Sequence, residues 1–307
     1  MMIKLLLSLM TIGFFQNSSY CSSINAINLR DNSKFISKLP DSTLIRNLAL
    51  IGSYQSASVR PIKYLRTENL TITEQLEAGL RVLDVHFRLV DEKFKLYYGP
   101  TYLSYTFDDI LSEINEFMIQ NPRELIIMLM KVEFDHLLTE FKECNVLENY
   151  IKIWQRRGLS LIGKWSLLED YIGEHRGHVL LSHVDRNNFD DCTTYLPCVV
   201  QNNWDVTDVE KKWRLIEDNE EEMFNGYSVI HSCFINYLSS LNPLLFIDSS
   251  TSLDDPTDYL DVGLNRIEKI NSRMANYFRN PHYTLVMIVT DFPSQLLIEK
   301  IIDSNFN

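Results

Sequence analysis

The chain has 307 residues, 45% of them hydrophobic, and a formal net charge of −12. This length and this apolar content suffice for one large domain with its own core. So acidic a chain argues against nucleic acid and against anionic membrane surfaces as broad electrostatic partners.

The first 23 residues have the layout of a secretory signal peptide. One cation, Lys4, precedes an apolar run over residues 5–15, and polar and small residues follow up to Ser23. The run is shorter than the about 20 residues that span a bilayer, which favours a cleaved signal over an anchor. We therefore expect a soluble, secreted domain over residues 24–307, with a buried first helix as the alternative interpretation of the N-terminus.

In an exported protein, four cysteines can form disulfide bonds and one asparagine can be glycosylated. Removal of the signal leaves Cys144, Cys192, Cys198 and Cys233, an even number in an oxidising compartment. Cys192 and Cys198 flank a polar turn with a proline and are the expected pair, while buried free thiols are the alternative. Asn69 opens a glycosylation sequon, which only a eukaryotic secretory pathway would use. No Cys/His spacing resembles a zinc site, and we expect no metal or cofactor.

Hydrophobic periodicity predicts strands that alternate with helices along the chain. The predicted strands cover residues 48–52, 80–88, 94–98, 125–130, 178–183, 227–236 and 285–291. The predicted helices cover 73–78, 107–118, part of 154–171 and a segment from Ser294, with a solvated acidic helix or loop over 205–222. No break in composition and no repeat divides the chain, so we predict a single α/β domain, a (βα)8-like TIM barrel.

Polar side chains at the carboxyl ends of the strands of such a barrel collect at one mouth. The residues expected at this mouth are Tyr54, Gln55, Asp84, His86, Arg88, Tyr98, Lys131, His183 and Asp291.

The segments around these residues repeat a known arrangement in order and spacing. The turn Gly52-Ser53-Tyr54-Gln55-Ser56 corresponds to a Gly-Ser/Thr-His-Asp-Ser turn, and residues 79–88 to a Gly-x-Arg-x-x-Asp-x-Arg-x-Arg strand. Tyr98-Gly99 stands in place of a His-Gly, residues 114–127 match the next helix and strand, and residues 289–292 match the last strand. From residue 35 onward the chain resembles the phosphatidylinositol-specific phospholipase C (PI-PLC) X-domain family in its bacterial-type, single-domain form. This resemblance implies the barrel of the PLC-like phosphodiesterases.

The resemblance also implies a chemistry, which is phosphodiester cleavage by the inositol 2-hydroxyl. In the family one histidine is the general base, a second is the general acid, and an arginine neutralises the phosphoryl oxygens. Here Tyr54 and Tyr98 stand at the two histidine positions, and His86 stands at the arginine position. A free phenol is only about 0.1% ionised at pH 7, and each general acid or base contributes about 10²- to 10⁴-fold, so most of the rate should be lost. The paired acids of the calcium-dependent variant are not found, so no calcium site is implied.

Several other residues that line the mouth in the family have matching residues in this chain. Asp84, Arg88, Lys131 and Asp291 stand at matching positions, and His183 falls near a basic position that contacts inositol. We expect Lys131, Arg88, Asp84 and His183 to bind the head group, and Asp291 to join His86 and the two tyrosines at the catalytic positions. A structural ion pair is the alternative for a buried Asp or Lys in such a mouth.

A loop beside the predicted mouth mixes cations with apolar residues, as the family's membrane-touching segment does. It covers residues 59–66, and its expected membrane contacts are Ile62, Tyr64 and Leu65. An ordinary surface loop is the alternative, because the chain as a whole is acidic.

Three hypotheses for function follow from the sequence. The first is a secreted pseudoenzyme that binds an inositol phospholipid, a glycosyl-phosphatidylinositol (GPI) head group or a protein partner. The second is an active phosphoric diester hydrolase of altered specificity, in which His86 and His183 have taken over the acid and base roles. The third is an interaction domain without a ligand.

Overall fold

The structure is a computed structural model, and it describes residues 30–58, 68–133, 142–185, 189, 191–206, 208–225, 233–239 and 256–306. The predicted signal peptide and the predicted membrane contacts Ile62, Tyr64 and Leu65 lie outside the described residues. Contacts divide the chain into Met1–Asp31 and Asn32–Asn307, and every element below belongs to the second unit. None of the described helices is long and apolar enough to cross a membrane.

One sheet of eleven strands organises the domain. Its strands are β1 (Ala49–Ser53), β2 (Val82–Val90), β3 (Lys93–Tyr98), β4 (Thr101–Thr106), β5 (Leu125–Val132), β6 (Ser160–Ile162), β7 (His178–His183), β8 (Thr194–Tyr195), β9 (Cys198–Gln201), β10 (Cys233–Tyr237) and β11 (Leu285–Thr290). The main path runs β6-β7-β5-β2-β1-β11-β10-β9, and all neighbours on it are parallel. Strands β3 and β4 form an antiparallel extension of β2, and β8 pairs with the end of β7.

Six α-helices accompany the sheet in the described part of the chain, and local sequence explains several of their ends. They are α1 (Ile72–Ala78), α2 (Phe107–Gln120), α3 (Lys142–Arg156), α4 (Val209–Phe224), α5 (Pro256–Tyr277) and α6 (Gln295–Asp303). The Thr71 hydroxyl accepts from the Glu74 N–H in a capping box at the start of α1, and Gly79 ends that helix at φ 109°. Ser294 caps α6 as expected.

Most of the predicted elements are present, but several differ from expectation, and strands β4, β6, β8 and β9 were not predicted. The helix expected within 154–171 ends at Arg156, because Gly158 takes a left-handed conformation at φ 99° and β6 follows. The acidic segment 205–222 contributes α4, but this helix also buries Trp213 and Ile216 against the sheet. Helix α5 was not predicted.

Two disulfide bonds join cysteines that are far apart in sequence. Cys144 is bonded to Cys192, and Cys198 is bonded to Cys233. The expected pair Cys192–Cys198 is therefore wrong. The reason is the sheet: β8 lies between these two cysteines and pairs with β7, while β9 places Cys198 in register with Cys233 of β10.

A fully buried ion pair lies at the amino ends of two adjacent strands. Arg81 immediately precedes β2, and its Nη2 donates to Glu124 Oε2 at 2.8 Å, just before β5. Both side chains are 0% exposed, and the guanidinium also packs over the rings of Phe35 and Phe117. The Glu124 carboxylate accepts from the N–H of Ser37 at 2.8 Å. This ion pair thus links β2, β5, helix α2 through Phe117, and the segment before β1 through Ser37.

Glu124→Gln removes the counter-charge of a buried guanidinium, so we expect the free energy of unfolding to fall by about 3–5 kcal/mol. Equilibrium unfolding in denaturant measures the change. The control is Arg123→Gln, which breaks an ion pair with Asp41 between side chains that are 56% and 62% exposed. This control should cost at most about 1 kcal/mol. Equal losses in the two variants would contradict the special role of the buried pair.

Candidate functional site at the carboxyl ends of the strands

Residues from four central strands lie close together at one mouth. Tyr54 follows β1, His86 and Asp84 lie on β2, Lys131 lies near the end of β5, and Asp291 follows β11. The strands β1 and β2 approach so closely that a Cβ atom at position 52 would lie 2.3 Å from the carbonyl oxygen of Val82. Glycine is therefore required at this position, which explains the Gly-Ser start of the turn.

Two phenols, those of Tyr54 and Tyr98, lie close enough at this mouth to interact electrostatically. The Tyr54 ring makes edge contacts with the rings of His86, at 5.7 Å, and Tyr237, at 5.9 Å. Burial raises the pKa of Tyr54 well above its ordinary value, and the neighbouring Tyr98 and carboxylates add to this effect. Burial also raises the pKa of Tyr98, with further contributions from Asp291 and Glu133. Both phenols are therefore held in the neutral form at neutral pH.

His86 lies between two carboxylates. Its Nε2 donates to Asp84 Oδ1 at 3.1 Å, and its Nδ1 donates to Glu133 Oε1 at 2.6 Å. The amide nitrogen of Gln55 lies 3.1 Å from the same Nδ1. Burial acts to lower the pKa of His86, but Asp84 and Glu133 outweigh burial and the charge of Lys131, and they raise this pKa to about 9. His86 is thus an imidazolium at neutral pH, and both of its ring N–H groups are engaged.

Arg88 and His183 are held by neighbouring residues of the fold. Arg88 donates from Nη2 to the carbonyl oxygen of Gly99 at 2.8 Å and packs over the ring of Tyr97. Arg88 therefore supports the hairpin that carries Tyr98. His183 is buried at the end of β7, where Nδ1 lies 2.7 Å from the Thr193 hydroxyl.

Asp291 is a buried acid beside the two phenols. The Ser239 hydroxyl donates to its Oδ1 at 3.1 Å. Burial raises the pKa of Asp291 to about 8, although this hydrogen bond and the charge of Lys212 act in the opposite direction. At neutral pH the acid is mostly protonated, and it titrates closer to neutrality than either phenol does.

A polar cavity of about 340 Å³ opens at this mouth. Its lining residues are Asp84, Leu129, Met130, Lys131, Val184, Asp185, Val200, Asn202, Asn203 and Tyr237. The side-chain oxygen of Asn202 is buried and has no hydrogen-bond partner among the described residues. The cavity thus offers one ammonium group, two carboxylates, two amides and a phenol to a ligand.

Several residues of this site, including Asp185 and Asn203, were missed by sequence reasoning. Glu133 lies only two positions beyond Lys131, so the strand alternation over 125–130 could have indicated it. Tyr237 is the last residue of β10, one position beyond the predicted strand, and Asn202 follows β9, which was not predicted, so no local signal identified them.

One cluster outside the mouth has donor atoms suited to a metal ion. Asp170, Glu174 and His175 lie just before the amino end of β7, with their ligand atoms within 4.8 Å of one another. His175 Nε2 donates to Asp170 Oδ2 at 2.7 Å, so two members of this cluster already pair with each other.

Comparison with known proteins identifies relatives over most of the chain. The PI-PLC X family model (PI-PLC X 1) matches residues 43–213. A 1-phosphatidylinositol phosphodiesterase of Listeria monocytogenes is 24% identical over 297 residues, which are 89% of this chain and 84% of the relative. The human PI-PLC X domain-containing protein 1 is 32% identical over 103 residues, which are 32% of each chain.

Solved structures agree with the family model. The PI-PLC of Listeria monocytogenes superimposes with a TM-score of 0.66 at 21% identity, covering 89% of this chain and 98% of that chain. A PI-PLC of Staphylococcus aureus gives a TM-score of 0.70 at 16% identity, covering 90% and 98%. These similarities confirm the predicted α/β fold of the bacterial PI-PLC barrels. Because the family model matches more than half of its length, the chain belongs to the PI-PLC X family.

Proposed function

We propose that this protein binds the head group of an inositol phospholipid or of a GPI anchor and that it has little or no phosphodiesterase activity. The ligand class is supported by relatives named 1-phosphatidylinositol phosphodiesterases. The proposed loss of activity is supported by the two partly buried phenols of Tyr54 and Tyr98, which the resemblance aligns with the base and the acid of the family. Because burial raises the pKa of both phenols, neither exchanges a proton readily at neutral pH.

The cavity supports a polyhydroxylated ligand. The Lys131 ammonium is a donor, the carboxylates of Asp84 and Asp185 are acceptors, and the Asn202 oxygen is an acceptor that lacks a partner among the described residues. Vicinal hydroxyl groups of an inositol or sugar ring both donate and accept, so they complement this set. Polar groups that are buried without partners favour a ligand that satisfies them.

A second candidate function is a phosphodiesterase with a rearranged acid and base. His86 is poorly suited to this role because both of its ring nitrogens face carboxylates. The observation that favours the candidate is Asp291, whose pKa burial raises to about 8. A carboxyl group that titrates there could accept a proton at mildly alkaline pH.

We also propose an extracellular location and peripheral contact with a membrane. The two disulfide bonds support an oxidising compartment. Val200 lines the cavity and Trp204 follows two lining asparagines, and both are exposed, so the rim offers apolar and aromatic groups to a lipid surface.

Lys131→Ala removes the only ammonium group among the residues that line the described cavity. We expect the affinity for soluble glycerophosphoinositol to fall at least about tenfold, because hydrogen bonds from a charged donor are worth about 1.5–3 kcal/mol. Isothermal titration calorimetry measures the change. Lys152→Ala, on the exposed surface of α3, is the matched control and should bind as the wild type does. Equal affinities for all three proteins would contradict the proposed cavity.

The Tyr54→His/Tyr98→His double variant restores imidazole at both positions, so we expect it to cleave phosphatidylinositol in mixed micelles at pH 7 while the wild type does not. Release of the inositol phosphate product is the measurement. Wild-type turnover that rises with pH through about 8 and is lost in Asp291→Asn would instead favour the second candidate. If neither binding nor activity is detected in these experiments, the hypothesis that remains is the interaction domain without a ligand.

A further inference from the structure

Glu133 is the more exposed of the two carboxylates that contact the His86 ring. The side chains of His86 and Asp84 are each 3% exposed, whereas that of Glu133 is 15% exposed. The Glu133 N–H donates to the carbonyl oxygen of Phe87 at 2.9 Å, which holds this residue beside β2. Its carboxylate therefore stands between the imidazolium and the solvent.

We propose that Glu133 is a specificity-determining residue whose carboxylate occupies the anion position beside His86, so that the mouth selects hydroxyl groups and disfavours phosphate. This inference rests on the proposed function because it concerns the same mouth. An anion that binds His86 has to displace Glu133, since the other ring nitrogen already faces Asp84. The protein then recognises a head group chiefly by its polyol part.

The net charge of the groups at the mouth also disfavours an anionic ligand such as phosphate. The carboxylates of Asp84, Glu133 and Asp185 stand against the cations of His86 and Lys131, three against two, which leaves one net negative charge. His86 and Lys131 are register partners on β2 and β5, so both side chains project from the same face of the sheet. Without the Glu133 charge, the two cations and a free Nδ1–H would form a donor set that suits a phosphate.

The contact between Glu133 and His86 shifts the pKa values of both residues. Burial acts to raise the pKa of Glu133, but the hydrogen bond and the charge of His86 outweigh it and hold this pKa below its ordinary value. The Glu133 carboxylate and the imidazolium thus keep each other charged at pH 6, where phosphate binding can be tested.

The experiment uses inorganic phosphate as the probe and the full-length protein at pH 6. We expect Glu133→Gln to bind phosphate at least about tenfold more tightly than the wild type, because juxtaposed like charges cost several kcal/mol. Glu148→Gln removes the same charge from the exposed face of α3 and should leave the affinity unchanged. The affinity for myo-inositol, which carries no charge, should be the same in all three proteins.

An NMR titration of the His86 ring identifies the site of binding. Phosphate should shift the His86 resonances in Glu133→Gln, an effect that a purely structural role of Glu133 would not produce. Glu133→Asp keeps the charge but shortens the side chain, so it should show a smaller gain and serves if Glu133→Gln folds poorly. An unchanged affinity, an equal gain in Glu148→Gln, or binding that leaves His86 unshifted would overturn the proposal. The Lys131→Ala result is independent of these outcomes and tests the proposed function alone.

Discussion

The buried pair of Arg81 and Glu124 is the constraint on which the site depends. The two residues immediately precede β2 and β5, and an unpaired charge at either position would be strongly destabilising, so these strands start side by side. The register that follows places Val82 beside Ile127 and His86 beside Lys131. The residues that define the mouth are thus aligned by a contact at the opposite ends of their strands.

At the mouth, ion pairing and burial limit proton exchange by the groups that could react. The imidazolium of His86 is paired on both nitrogens, burial raises the pKa of Tyr54, and Asp291 is mostly protonated at neutral pH. The cavity beside them keeps unsatisfied capacity for hydrogen bonds, at Asn202 above all. These features support the proposed role in ligand recognition, because general acid–base catalysis requires groups that titrate freely near neutral pH.

Local patterns in the sequence predicted seven of the eleven described strands and most of the described helices, since buried parallel strands are apolar runs and amphipathic helices repeat at three and four residues. They also brought Tyr54, Asp84, His86, Lys131 and Asp291 to one end of the sheet. They failed at the disulfide bonds, because proximity in sequence favoured Cys192–Cys198 while the pairing of β9 with β10 joins Cys198 to Cys233. Connectivity of this kind depends on long-range packing that no local pattern contains.

By itself, the amino-acid sequence determined the family, the order of the elements and the residue types at the mouth, because these follow from periodicity and from motifs of fixed spacing. Only the tertiary structure decided what those residues do to one another. Glu133 became a partner of His86 because β2 and β5 pair in parallel and in register, and Tyr237 reached Tyr54 from a strand 183 positions further along the chain. The charge state of a buried group depends on such neighbours and on its depth, which are properties of the folded protein and not of any single segment.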